Sequence, residues 1–511
     1  MSPYDKREAG AVWNALVSPI RRLGRNQNMF NLFLIVFLIV LGFLLYGKSL
    51  SIPYYGNDFQ FVFINPSIHN VLDSFTHPVP YTQTYRPIQA AIMQFVQSMH
   101  GMNTLPIHIL SLLIHILIAI VIFKFMIRQK FSAIQSGIAA IFMLIAPINV
   151  MTVAGNDSLH QLLGTLLGIL SVMMIIRWEQ STSSMARLLM LVGSVLLFGM
   201  AIFSSETAIV YFVPILAVLM YQSIKTKNII PAVLIMPYLL ILLSYGYIYH
   251  EMIPQMSGIW QSPAGIGRNT IINFLIISAG SIYPFSTVRL MQLFSDRSWI
   301  AMGTLGSTAV ALMIVVIAGW LQSIKRSYIT GLLLIIMAMT LLLGLFIHPS
   351  ELIVYTIMPF VAVIIGLAVG TMVERIRVIP STRLLFGAFV VMVALSCAGS
   401  TMQKVRQMGE CGEWQQSIMN QLGRLIEQGS DRCIVLINPR ERTNQYSVFV
   451  QDDFESLVWA QPYLLYRWNY HSPCSFTILR EGDVPADACI FRDPDKLRLT
   501  LSDGMVVPWP P

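Results

Sequence analysis

Eleven stretches of this chain are long and apolar enough to cross a hydrocarbon layer of about 30 Å: 29–47, 105–127, 133–153, 159–176, 187–204, 207–223, 229–248, 299–321, 328–347, 351–373 and 382–399. That recurrence excludes a soluble fold. With 511 residues, 55% hydrophobic, 11% charged and a mean hydropathy of +0.65, the chain is also too long for a single span. The fold class it predicts is a polytopic α-helical membrane protein, a bundle of about 11 transmembrane helices. The first run, Met29 to Tyr46, has the length of a secretory signal core. It is followed by Lys48-Ser-Leu-Ser-Ile-Pro and not by a small-residue cleavage site, so it reads as a retained first helix.

Cationic residues in short loops stay on the cytoplasmic side. Seventeen Lys and Arg fall in the N-terminal tail and the even-numbered connections, against five (Lys48, Arg86, Arg268, Arg289 and Arg297) in the opposite loops. This places the N-terminus in the cytoplasm and, for an odd number of spans, the segment after about residue 400 outside. The apolar stretch Asn269 to Phe285 would invert the later charged loops if counted as a span. It is therefore expected to be an interfacial or re-entrant helix. The organisation that follows is a cytoplasmic tail at 1–28, a membrane bundle at 29–400 with outer loops 48–104 and 249–298, and an extracytoplasmic domain at 401–511.

The last segment changes character, with eleven Lys/Arg and fourteen Asp/Glu. A helix near 412–428 is followed by β-rich runs beginning at Cys433, Ser447, Ser475 and Ala488, which predicts a small C-terminal α/β domain. Cys411, Cys433, Cys474 and Cys489 all lie here, while Cys397 is in a span. An even set suits disulfides in an oxidising compartment, with three pairings open and four unlinked thiols as the alternative. The segment holds no nucleotide-binding glycine signature and no nucleophile motif. The net charge of +8 comes from the cytoplasmic loops, which excludes a nucleic-acid patch.

Ionisable groups next to a bilayer are costly and usually functional. Asp58, Asp157, Glu206 and Glu351 all fall at the outer ends of spans, where a bundle can gather them around one cavity, although solvated loops would place acids there too. Asp58 is the strongest candidate for a base, because it sits among Tyr54, Tyr55, Phe59 and Phe61 and partial burial would suit it to accept a proton. Arg86, in Tyr85-Arg-Pro-Ile, can grip a phosphate through paired hydrogen bonds, or instead contact a headgroup or pair with Asp58. Ala90 to His100 is amphipathic, with Ile92, Phe95, Val96 and Met99 at helical spacing, and is expected along the membrane surface. His108 and His115 share one helical face, but without a third ligand nearby they read as packed, hydrogen-bonded core residues and not a metal site. His69, His77 and His348 lie near the supposed cavity.

The pattern Asn57-Asp-Phe, Ile64-Asn-Pro-Ser-Ile, Thr84-Tyr-Arg-Pro-Ile and Leu105-Pro-Ile-His-Ile-Leu-Ser-Leu-Leu-Ile-His resembles the first half of GT-C glycosyltransferases of the protein O-mannosyltransferase type. It is most similar to the tetratricopeptide-bearing transmembrane O-mannosyltransferases and their bacterial relatives. Ala146-Pro-Ile-Asn-Val with Gly155-Asn-Asp-Ser, Phe203-Ser-Ser-Glu-Thr-Ala and His348-Pro-Ser-Glu-Leu-Ile-Val-Tyr resemble later family elements in the same order. The chain differs in having Asn57, Ser205 and Leu352 where the family has an acid, a Lys and an Arg, and no tetratricopeptide array follows.

The resemblance implies an inverting transfer of a sugar from a polyprenyl-phosphate donor to a hydroxyl of a glycan, lipid or protein acceptor at the outer face of a bacterial plasma membrane. Asp58 would then be the general base. Arg86, with Arg268 and Arg289 in reserve, would bind the donor phosphate, assisted by a divalent cation if one is used. Tyr85, Asn57, Asp157, Glu206, His348 and Glu351 would orient the substrates, or Asp157, Glu206 and Glu351 would hold those cations in place. Two other classes fit the same composition: a lipid-linked polysaccharide polymerase or ligase that relies on Arg268 and Arg289, and a transporter or flippase of lipid-linked sugars. The latter more often shows paired halves with mid-membrane charges, which this chain lacks.

Overall fold

The structure, a computed structural model, describes residues 27–54, 58, 71–77, 84–253, 296, 298–299, 303, 306–307, 351–375, 380–427, 433–438, 477–480, 496–502 and 505–508. The helices are α1 (Gln27–Tyr46), α2 (Pro87–His100), α3 (Leu105–Arg128), α4 (Ala133–Ile145), α5 (Val150–Ala154), α6 (Leu159–Gln180), α7 (Ser184–Ser204), α8 (Phe212–Thr226), α9 (Ile230–Val233), α10 (Met236–Met252), α11 (Glu351–Tyr355), α12 (Met358–Arg375) and α13 (Pro380–Glu427). Short 3-10 turns lie at Gly47–Ser51, Val71–Phe75, Pro147–Asn149 and Glu206–Tyr211.

Among the described residues seven helical segments are long and apolar enough to span a membrane, and the pair formed by Ala133–Ile145 and Pro147–Ala154 makes an eighth that is bent by 46°. The chain is an integral membrane protein. Its apolar side chains fit the setting locally: Leu32, Phe33 and Leu44 on α1, Leu189 and Leu196 on α7, Leu240 and Leu243 on α10 and Leu385 and Leu395 on α13 are exposed, as lipid-facing side chains are. The expected spans 299–321 and 328–347 and the re-entrant segment 269–285 lie almost wholly outside the described residues. The expected span 351–373 is two pieces, α11 and the shorter apolar helix at Met358–Glu374.

Proline decides where these helices break. Pro147 has no N–H to give the Met143 carbonyl four residues back, and the Asn149 side chain supplies the missing donor, with Nδ2 2.8 Å from that oxygen. Pro359 sits in the first turn of α12, where a missing N–H costs nothing, and so separates it from α11. At the start of α4, Ser132 and Gln135 form a reciprocal cap, and the Gln135 amide also reaches Thr371 on α12 at 2.9 Å. α4 and α12 lie backbone to backbone there, since a Cβ on Gly366 would stand 2.6 Å from the Gln135 carbonyl oxygen and one on Gly370 2.8 Å from its Cα. In mid-bundle Ser171 and Ser194 exchange hydroxyl-to-carbonyl bonds of 2.8 and 2.9 Å, and Tyr238 donates to Ser194 at 2.8 Å, which joins α6, α7 and α10.

α13 is the longest element. Its 48 residues take in both the expected last span and the expected helix at 412–428, so one continuous helix carries the chain out of the bundle. At 1.5 Å per residue it is about 70 Å long, more than twice the hydrocarbon thickness. Beyond it, β1 (Cys433–Asn438), β2 (Thr477–Arg480), β3 (Lys496–Ser502) and β4 (Met505–Pro508) form a sheet in the order β2-β1-β3-β4. β1 is parallel to both neighbours, with Leu436 opposite Ile478 and Val435 opposite Arg498, while β3 and β4 are antiparallel, with Leu499 opposite Pro508. Runs starting at Cys433 and Ser475 were expected as strands and are; those at Ser447 and Ala488 lie outside the described residues.

Filling the α4–α12 contact should be expensive. Gly366→Leu is expected to lower stability by about 1–3 kcal/mol through overpacking, while Gly387→Leu, with open space around it, should be neutral. Thermal unfolding in one detergent compares the two.

Candidate functional site

The loop leaving α1 is pinned first. His108 Nε2 and Thr104 Oγ1, at the start of α3, both donate to the Ile52 carbonyl at 2.8 Å. His115, one heptad on, bonds the Tyr355 hydroxyl at 2.7 Å and packs edge-on to Tyr46. Both histidines are therefore core residues. Among the described residues no group of three His, Cys, Asp or Glu is gathered in a way that could hold a metal ion.

From that loop Asp58 reaches the link between α5 and α6. It is 2% exposed; its Oδ2 accepts from Asn156 Nδ2 at 2.8 Å and its Oδ1 from the Asp157 backbone N–H at 2.9 Å. The link Gly155–Ser158 is itself held on every side. Ser158 Oγ donates to Asp157 Oδ1 at 2.8 Å, and the Asp157 carbonyl accepts from His160 Nδ1 at 2.8 Å and from the Gln89 amide. That carbonyl can only accept, so His160 carries its proton on Nδ1. Burial pushes the Asp157 carboxyl above the usual carboxylate range, against the pull of Ser158 and Arg86.

Arg86 precedes α2, where Pro87 fixes the first helical residue. Its guanidinium makes a forked bond to Glu206, with Nε 2.9 Å from Oε2 and Nη2 on Oε1. Burial opposes the charge, but Glu206 outweighs it and holds the guanidinium protonated. The two side chains are 15% and 24% exposed, whereas Asp58 is 2% exposed. The fork uses two of the five N–H groups of Arg86, and its Nη1 lies 3.5 Å from His160 Nδ1. The expected alternative pairing of Arg86 with Asp58 is not the one formed.

Glu206 follows Ser205, whose extended backbone ends α7, and it opens the turn that leads into α8. Thr207 next to it and Thr356 after α11 both donate to Gln161 Oε1, at 2.7 and 2.9 Å, and Gln161 stands in the first turn of α6. Glu351 is fully buried, 3.3 Å from Lys404 on α13. The bundle thus brings Asp58, Arg86, Asp157, Glu206 and Glu351 to one end. Tyr85 is also buried; its hydroxyl donates to the Phe75 carbonyl at 2.8 Å and its own carbonyl accepts from Tyr245, so it braces the loop between Val71 and α2.

Asn57, Arg268, Arg289, His348, Cys474 and Cys489, and the side chain of Cys433, lie outside the described residues, and with them the expected disulfides; Cys411 is half-buried on α13. On α2, Phe95 and Met99 are exposed while Gln89 and Gln97 are buried. That inversion is the pattern of a helix whose outer face meets lipid.

Five partners were not singled out from the sequence: Gln89, Asn156, His160, Gln161 and Lys404. The amides and His160 carry no periodic signal. Lys404 carried one, as a cation next to the end of an apolar helix on the face where cations are scarce.

No protein-family model matches the sequence, and no curated protein is similar to it by sequence. Solved structures do match. The chain is similar to ArnT from Cupriavidus metallidurans in the apo state at 12% identity and a TM-score of 0.51, covering 88% of this chain and 86% of that one. It is also similar to the archaeal oligosaccharyltransferase AglB from Archaeoglobus fulgidus, in complex with an inhibitory peptide and a dolichol-phosphate, at 12% identity and a TM-score of 0.50, covering 89% of this chain and 65% of that one. What is shared at that identity is the fold, a GT-C-type membrane fold.

Two measurements test the site as built. A double-mutant cycle on Arg86→Met and Glu206→Gln should give a coupling energy of about 0.5–3 kcal/mol. Asp157, whose folded-state affinity for a proton is raised, contributes stability at low pH that is lost as pH rises through its folded pKa. Asp157→Asn keeps the oxygen that Ser158 bonds, so its melting temperature should gain on the parent as pH rises from acid to neutral, and a gap that narrows instead would contradict this assignment.

Proposed function

We propose that this GT-C-type membrane protein is a glycosyltransferase that moves a sugar from a polyprenyl-phosphate carrier to a hydroxyl of a glycan, lipid or protein acceptor. One observation carries the reading: Asp58 and Arg86 address the same link, one through the Asp157 N–H and the other electrostatically and through Gln89 on the first turn of α2. A carboxylate oriented by two N–H donors and a partly exposed guanidinium are the two groups such a transfer asks for.

Asp58 is the general base in this scheme. The acceptor oxygen attacks the anomeric carbon on the face opposite the lipid phosphate, its proton passes to an Asp58 oxygen, and the bond from that carbon to the phosphate oxygen breaks. Configuration inverts. The phosphate leaves on the lipid with a full negative charge, and Arg86 meets it with the donors that Glu206 leaves unused. Most of the rate comes from holding the acceptor and the anomeric carbon in line. The dolichol-phosphate in the AglB structure supports a lipid-phosphate substrate for this fold, and the forked Arg86–Glu206 pair supports a fixed place for its charge.

The charge distribution supports an N-terminus in the cytoplasm, with Asp58, the site and residues 401–511 on the outer face of a bacterial plasma membrane. The strands that follow α13 then form a module on the acceptor side, joined to the bundle by that helix.

The test is transfer in nanodiscs loaded with polyprenyl-phosphate-linked sugars. Asp58→Asn is expected to lower turnover by at least about 100-fold with donor binding retained. Full transfer by that variant, with loss in the Arg268→Ala/Arg289→Ala double variant, would overturn the reading in favour of a polymerase that works through outer-loop arginines.

A further inference from the structure

We propose that Glu351 and Lys404 are positioning residues: their buried ion pair locks α13 onto the link that holds Asp58. The inference rests on the reading of Asp58 as the base, but the lock itself is a matter of geometry.

Lys404 is 3% exposed and Glu351 is fully buried, and Nζ lies 3.3 and 3.4 Å from the two carboxylate oxygens. The same ammonium donates to the Pro147 carbonyl at 3.2 Å, and Thr401, one turn earlier, donates to the Ile145 carbonyl at 2.8 Å. α13 therefore grips both sides of the break between α4 and α5. α5 runs directly into Gly155–Ser158, the link that bonds Asp58.

The other partner reaches the same link from behind. Glu351 opens α11, and Thr356, just past its end, bonds Gln161 in the first turn of α6. The link is thus held on its α5 side by Lys404 and on its α6 side through Glu351's own helix. α13 touches the Asp58 half as well, since it packs on the Gly47–Ser51 turn and Gly412 lies so close to Pro53 that a Cβ there would stand 3.1 Å from its ring. One helix sets both halves of the contact between Asp58 and Asn156–Asp157.

Packing alone does not call for this pair. Two apolar side chains of similar size fill such a space as well or better, whereas an ion pair fixes direction and register. The prediction follows from that difference. The double variant Glu351→Leu/Lys404→Met removes both charges together and should fold and melt like the parent. Its backbone amides at 155–161 should exchange hydrogen about tenfold faster than in the parent, while those of α7 stay unchanged. Its kcat for sugar transfer should fall about tenfold or more, with the KM for donor nearly constant, because the base is displaced and the donor site is not. The reversed pair Glu351→Lys/Lys404→Glu should recover part of both.

Three results overturn the proposal: a double variant that exchanges like the parent, one that exchanges faster yet keeps full kcat, or one whose loss lies wholly in KM. If the reversed pair fails to fold, Glu351→Gln/Lys404→Met serves as a second neutral pair, expected to show the same faster exchange and lower kcat as Glu351→Leu/Lys404→Met. A parent that transfers no lipid-linked sugar at all counts against the function proposed above, and the exchange measurement still decides whether the lock exists.

Discussion

A charged or polar group set against a bilayer has no bulk water to turn to, and the whole site is organised by that shortage. Asp58 takes its donors from Asn156 and the Asp157 amide, Arg86 and Glu206 neutralise each other in a fork, and Glu351 does the same with Lys404. Each of these bonds joins segments far apart in sequence. The polar requirement of a few side chains therefore fixes how the helices meet at this end, where apolar packing alone would allow sliding. In mid-bundle the same role falls to the Ser171–Ser194–Tyr238 cluster, with no charge involved.

The helices break where the site needs backbone. Irregular chain survives at membrane depth only when it is buried in protein and its polar atoms are met. The break at Pro147 satisfies that condition through Asn149 and Lys404, the link at 155–158 through Asp58, Gln89 and His160, and the break after Tyr355 through the bond from Thr356 to Gln161 and that from Tyr211 to the Thr356 carbonyl. The buried amide of Asp157 is available to hold Asp58 because Ser158 and its neighbours are not yet in a regular helix. Proline and glycine thus do more than interrupt; they bring N–H and C=O groups to the place where carboxylates need them.

This explains which parts of the protein were legible in its sequence. Long apolar runs have one physical meaning, and the spans from α1 to α10 and α13 lie where those runs put them, although 133–153 is bent and 351–373 is divided by a proline. The acids were legible as a set, since carboxylates at the ends of spans are rare enough to notice, and so was Arg86. Their pairing was not. Arg86 could be matched with Asp58 or Glu206 on sequence grounds, and only the packing of α2 against α6 and α7 selects Glu206. Gln89 and Gln161 were invisible because a neutral amide in a helix has the same local pattern whether it bonds water or a buried backbone or hydroxyl group, and Asn156 stood out only within the Gly155-Asn-Asp-Ser motif. Lys404 was misplaced for a different reason: the apolar run ends near residue 399, but the helix does not, and a residue taken for the start of a separate domain is part of the bundle core.

The continuity of α13 has a mechanical consequence. About 40 Å of this helix extends past the hydrocarbon thickness, and β4 packs against it. A helix of that length is stiff, so a force applied at the sheet is felt at Lys404 and at the contact between Gly412 and Pro53 before it is felt in the lipid-facing spans. On the reading proposed above, one stiff element runs from the module on the acceptor side to the segments that hold the carboxylate that takes the acceptor's proton. Acceptor docking on the strands beyond α13 can then tighten the Asp58 contact, because α13 packs on the Gly47–Ser51 turn and on α5, whereas the Arg86–Glu206 pair is carried by α2 and the turn before α8. Coupling of that kind needs no relay through the bundle; it needs only that the helix not bend between residue 404 and residue 427, and its sequence there contains no proline.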